Sequence, residues 1–295
     1  MTAPELALVL TSALLHAVWS ASIKSSRDPL VFNLLQLATP VALLIALLPW
    51  IDFGEVPRAA WAWLAAASAA HGAYFYWMSR AYESGDLTLV YPIARSTPAF
   101  LPFIAVPLFG ESITPLGALG IAIVVAGMWS VQASQGLHRA AFAGPAGRHA
   151  ILTLAATVAY SLFDKGGMSA LAEADWTSEI PRSLFYCVLI SCTSAAIFAP
   201  LVIRQRGLRE IASAASDEFW RATAASTVSL LGYALILKTL ETASVSYVVA
   251  VRQSSVLFAL LLGVLWLRER PGRIRVIGAS ATVVGVALIA LADGA

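Results

Sequence analysis

The chain is 295 residues long, 59% hydrophobic and 12% charged, with a net charge of +2. Soluble domains carry about 25% charged residues, so this composition excludes an ordinary soluble domain, and the small net charge gives no grip on nucleic acid. Cys187 and Cys192 form neither a disulfide framework nor a metal spacing. His16, His71, His138 and His149 are scattered, and no metal site or cofactor is expected.

In chain order, the start, MTAPELALVL, lacks the basic stretch and cleavage site of a signal peptide and is expected to be retained. Apolar runs bounded by charges or Pro/Gly clusters then predict ten spans: 4–25, 30–50, 59–82, 87–109, 114–133, 149–170, 181–203, 218–240, 243–267 and 274–292. The expected fold class is an all-α, multi-pass membrane protein. Connections are short apart from Ser134–Arg148 and Arg204–Asp217, and the first of these divides the chain into residues 1–137 and 138–295.

The two halves repeat. At an offset of 158 residues, Glu83, Ser96, Phe100, Glu111, Gly120 and Gly127 match Glu241, Ser254, Phe258, Glu269, Gly278 and Gly285. Trp19-Ser20 to Lys24 also resembles Tyr160-Ser161 to Lys165. Five spans per half is an odd number, so the second repeat is expected to be inverted. Arg27, Arg139, Arg148, Arg204, Arg206, Arg209, Arg268, Arg270, Arg273 and Arg275 fall on one predicted face, and Arg58 is the clear exception opposite. The positive-inside rule puts the arginine-rich face in the cytoplasm and both termini outside; the expected location is a bacterial inner membrane.

Span 4, LTLVYPIARSTPAFLPFIAVPLFG, carries Arg95 and four prolines, Pro92, Pro98, Pro102 and Pro107. Each proline removes a backbone N–H and frees a carbonyl, so such a helix belongs beside a cavity rather than in lipid. Arg95 lies near the predicted midplane, where a charge costs roughly 2.5–3.5 kcal/mol. Arg252 lies at a similar depth in span 9. Two arginines from pseudo-symmetric positions suit an anion, because guanidinium forks bind carboxylate or phosphonate oxygens in pairs. The alternative pairs them with Glu83 or Glu241 as structural cations. Span 9 has no proline, so the second half departs from the pattern of the first and symmetric gating is not expected.

On span 3, His71, Tyr74, Met78 and Tyr82 share one helical face; that face either walls a cavity or packs against neighbouring helices. Trp19 and Tyr91 are further candidate substrate contacts. Lys24, Asp164, Lys165, Pro92 and Pro98 are candidates for gating or coupling, with snorkelling as the alternative for the lysines. Gly120/Gly127 and Gly278/Gly285 give spans 5 and 10 small faces for close approach, within the chain or in a homodimer. No Ser-His-Asp set or phosphate loop is present.

The segments PAFLPFIAVPLFGESITPLGALGIAIVVAG and SSVLFALLLGVLWLRERPGRIRVIGASATVVG resemble the paired signatures of EamA-type proteins of the drug/metabolite transporter superfamily. The YPIAR segment more weakly resembles a subgroup linked with phosphonate utilisation. The resemblance implies ten helices, with helices 1–4 and 6–9 around a central cavity. The expected function is secondary transport of a small organic anion or zwitterion, such as a phosphonate, organophosphate or amino acid, by alternating access. Export of aromatic or other amino acids or metabolites is the alternative. A membrane-embedded enzyme or lipid-handling accessory protein is the alternative from another class.

Overall fold

In the computed structural model, which describes residues 1–83, 93–133, 144–265 and 272–292, every regular element is helical. Thr2 opens α1 (Ala3–Lys24) with a capping box, its N–H donating to Glu5 Oε2 at 2.7 Å. Asp28 caps α2 (Pro29–Gln36) by accepting from Leu30 and Val31, and α3 (Ala38–Leu47) follows after Leu37. Span 2 is therefore two helices. Two 3₁₀ turns (Leu48–Trp50 and Phe53–Glu55) lead to α4 (Arg58–Glu83).

The first half ends with α5 (Thr97–Phe109) and α6 (Pro115–Ala133). The second half holds α7 (Pro145–Ala172), α8 (Arg182–Arg206), α9 (Leu208–Leu240), α10 (Val245–Arg252), α11 (Ser255–Leu265) and α12 (Arg273–Ala292). Among the described residues, five segments are long and apolar enough to cross a bilayer: Ala3–Ile23, Pro29–Trp50, Arg182–Arg206, Leu208–Leu240 and Arg273–Ala292. With 26 residues, α4 reaches about 39 Å at 1.5 Å per residue. Its lower hydropathy comes from polar residues on the buried side, Ser68, His71 and Ser79. Outward-facing side chains are apolar, with Phe103 80% and Ile277 66% exposed, as suits lipid rather than water.

Two expectations need correction. The predicted connection Arg204–Asp217 is almost entirely helical: α8 runs to Arg206, Gly207 turns the chain at φ 77°, and α9 starts at Leu208. Ile211, Ala214 and Ala215 pack on the core at helical spacing and extend the helix beyond the apolar run. Span 9 is also interrupted without any proline. Ser254 N–H bonds Val251 O at 3.0 Å and Leu257 N–H bonds Ser254 O at 2.8 Å, so the ladder tightens to i→i−3 between α10 and α11. Ser96→Ile93 at 3.0 Å and Ala99→Ser96 at 2.9 Å form the same two bonds, 158 residues earlier.

Packing repeats the pattern. Helix α1 lies along α9, and α4 along α7, so the first long helix of each half rests on the third span of the other. The glycine faces of α6 and α12 meet inside the chain. A Cβ on Gly120 would come within 2.8 Å of Gly285 O, and one on Gly127 within 2.6 Å of Gly278 O. Only glycine permits that approach, and these faces are filled by each other rather than open to a second copy.

Candidate functional site

The two helix breaks meet at a cavity. Its larger compartment encloses about 650 Å³ of non-atom space, mouth included, and is lined by His16, Trp19, Ser20, Tyr74, Met78, Tyr82, Arg95, Thr97, Tyr160, Ser161, Arg252 and Gln253, among others. A second compartment of about 510 Å³ shares His16, Trp19, Tyr74, Tyr160 and Arg252 with it, and adds His71 and Tyr233. The repeated motif supplies lining from both halves, Trp19-Ser20 from α1 and Tyr160-Ser161 from α7.

His16 stands between the two arginines. Arg95 Nη2 donates to His16 Nε2 at 2.7 Å, and Arg252 Nη2 lies 3.4 Å from His16 Nδ1. A neutral imidazole has one acceptor nitrogen and a protonated one has none. Once Nε2 accepts from Arg95, Nδ1 carries the hydrogen and faces Arg252 donor to donor. His16 therefore accepts from one guanidinium at a time, and Arg252 also reaches the Tyr160 hydroxyl. Arg95 also reaches across the cavity, with Nη1 donating to Ser255 Oγ at 2.5 Å and Nη2 to Ser20 Oγ at 3.4 Å. Arg252 Cζ sits 5.2 Å from the Tyr233 ring centroid, within cation–π range.

Several buried polar atoms on this wall have no hydrogen bond among the described residues: Arg252 Nε, Thr97 Oγ1 and Gln253 Oε1. Among the described lining residues there is no Asp or Glu. Glu83 is engaged by Arg80 at 2.6 Å and by Arg206, and Glu241 by Lys238 at 2.7 Å. Neither carboxylate is the partner of Arg95 or Arg252 that the alternative reading required. Helices α5 and α11 both start at this wall, where their N-terminal dipoles add positive partial charge.

The remaining candidates separate clearly. Trp19, Tyr74, Tyr82 and both arginines line one compartment, and His71 lines the other. Trp19 is oriented by a buried chain: Nε1 donates to Gln36 Oε1 at 2.6 Å, Gln36 to Asn33 at 2.8 Å and Asn33 to Ser79 at 2.8 Å. Pro98 is the second residue of α5, where no N–H is needed, so it starts a helix rather than breaking one. Asp164 is fully buried behind the cavity. Lys165 turns away from Asp164 and donates to Leu240 O at 2.9 Å and Ala243 O at 3.0 Å, capping the end of α9. Tyr91, Pro92 and the side chain of Lys24 lie outside the described residues.

His16, Tyr160, Tyr233, Ser255, Thr97 and Gln253 were not anticipated. His16 had a signal, being three residues before Trp19 on the same helical face. Thr97 and Ser255 are matched by the 158-residue offset.

The sequence pattern of the EamA-like transporter family matches residues 3–132 and 171–291. A protein described as "Uncharacterized transporter in cobO 3'region" from Sinorhizobium sp is 28% identical over 116 residues, covering 39% of this chain and 82% of its own length. A solved structure described only as "Crystal structure of protein" aligns over 100% of this chain and 99% of its own at TM-score 0.73. At 16% identity that likeness shows the fold alone.

Proposed function

The chain belongs to the EamA-like transporter family, and from that premise we propose that its cavity carries a small organic anion or zwitterion across the membrane. The observation that carries this reading is Arg95 and Arg252 brought to the two ring nitrogens of His16, two cations beside one cavity with no anionic acceptor among its described lining residues. A phosphonate, an organophosphate or the carboxylate of an amino acid supplies that acceptor. Trp19, Tyr74 and Tyr160 then face the rest of the molecule, which also accommodates the exported aromatic amino acid of the second reading.

Alternating access follows from ten spans arranged as two inverted five-helix repeats. The paired i→i−3 breaks, the reciprocal packing of α1 on α9 and α4 on α7, and the crossed glycine contacts of α6 and α12 support this arrangement. Rocking one four-span group against the other around the arginines would expose the site to each side in turn. The arginine-rich face is cytoplasmic, both termini are outside and the membrane is a bacterial inner membrane; a homodimer would use the outer faces of α6 and α12. A ligand-stabilisation screen of purified protein against phosphonates, amino acids and organic cations tests the reading. Stabilisation by cations alone would overturn it.

A further inference from the structure

Behind the arginines lies an ionisable cluster that anion binding does not use. Asp164, on α7, is 0% exposed. Its Oδ2 accepts the Tyr233 hydroxyl hydrogen and lies 3.0 Å from His71 Nε2, while Tyr233 Oη is 3.3 Å from the same nitrogen. Its Oδ1 has no hydrogen bond among the described residues. Adjacent Lys165 is committed to backbone carbonyls.

The groups facing this carboxylate come from five elements. His71 reaches it from α4, and Tyr160 on α7 stacks against His71 with ring centroids 4.2 Å apart. Tyr186 of α8, followed in sequence by Cys187, donates to the carbonyl of Phe163, the residue before Asp164, at 3.5 Å, and Tyr233 comes from α9. Arg252 of α10 is held off by the Tyr233 ring; His16 of α1 lies on the far side of Arg252. An ionised carboxylate in so apolar a place is strongly disfavoured without a compensating charge in contact. His71 is the group in contact that can carry one.

We infer that His71 and Asp164 together form a proton-binding site that exchanges one proton with the cavity, and that this proton is coupled to transport. The coupling rests on the anion-transport reading; the proton site itself does not. One proton from cavity water takes the pair from a charge of −1 to 0, and its release reverses the step. His71 and Tyr233 both line the second compartment, which shares His16, Trp19, Tyr74, Tyr160 and Arg252 with the first, so the proton's path ends at the cavity proposed for the substrate. Arg252 links the two sites. Its guanidinium lies between the Tyr233 ring and His16, so an unprotonated pair beyond the ring offsets part of its charge, and a protonated pair leaves that charge to an anion on the His16 side. Proton and anion therefore bind with each other's help, as linkage requires.

The test is infrared difference spectroscopy of lipid-reconstituted protein between high and low pH, with the proton as the only probe. A titrating carboxyl or imidazole signal is expected that disappears in Asp164→Asn and changes in His71→Gln. Tyr233→Phe, which keeps the packing and removes one hydroxyl donor, is expected to displace its midpoint even if Asp164→Asn does not fold. Spectra identical in wild type and Asp164→Asn, or no displacement in Tyr233→Phe, would overturn the site. Methylphosphonate added to the same vesicles with a pH-sensitive dye is expected to draw in about one proton per ligand bound, by linkage. Binding without proton uptake overturns the coupling. Absence of methylphosphonate binding tells against the substrate reading, while the spectra still decide the proton site.

Discussion

Arg95 donates from Nη1 to Ser255 Oγ at 2.5 Å, tying the break in one half of the chain to the first residue of α11 in the other. The same guanidinium serves His16 through Nη2, so its planar fork spans two elements at once. A lysine ammonium lacks that fork. Arg95→Lys should fold normally and bind ligand about tenfold more weakly, a difference of about 1.4 kcal/mol. Equilibrium titration against wild type decides it, and unchanged affinity would show that the fork is not used for ligand.

The α6–α12 contact should be intolerant of side chains. Gly127→Val drives new atoms into the Gly278 carbonyl, 2.6 Å from where a Cβ would sit. Overpacking of this kind costs about 1–3 kcal/mol, visible as a lower melting temperature in detergent. Gly272→Ala has nothing within 4 Å of the added carbon and should melt like wild type.

Arg206 gathers three elements at the arginine-rich end. Its Nε donates to Asp28 Oδ2 at 2.6 Å and Nη2 to Glu83, which Arg80 also engages. The site is about one-fifth exposed, so solvent screening trims its value. Arg206→Gln should cost about 1–2 kcal/mol of thermal stability, and Arg80→Gln, with one carboxylate and greater exposure, should cost less. Equal losses in the two variants would contradict the bridging role.

Much of this architecture could be read from the residues, and the gaps have identifiable causes. Apolar runs locate the spans because a bilayer demands them, and Ser96/Ser254 and Gly120/Gly278 announce the repeat. The break at Gln253–Ser254 escaped because no proline marks it; it arises from i→i−3 bonding that composition does not encode. The start of α9 escaped because its first turns are polar and emerge beyond the apolar run. His16 escaped because a lone histidine on an apolar helix carries little signal until both arginines are brought to its two nitrogens.

Lys165 caps α9 rather than pairing with Asp164. Lys165→Met removes the ammonium that donates to the Leu240 and Ala243 carbonyls. A loss of about 1–3 kcal/mol is expected, measured by thermal unfolding. Full stability in Lys165→Met would mean water replaces the ammonium without cost.

The most direct measurement is the affinity of methylphosphonate for wild type, Arg95→Gln and Arg252→Gln, by equilibrium titration of protein in detergent. Each arginine contributes charge-assisted hydrogen bonds of about 1.5–3 kcal/mol, so each variant should fold and bind roughly ten- to a hundredfold more weakly. Unchanged affinity in folded variants, or a screen in which only organic cations bind, would contradict an anion site at these two residues.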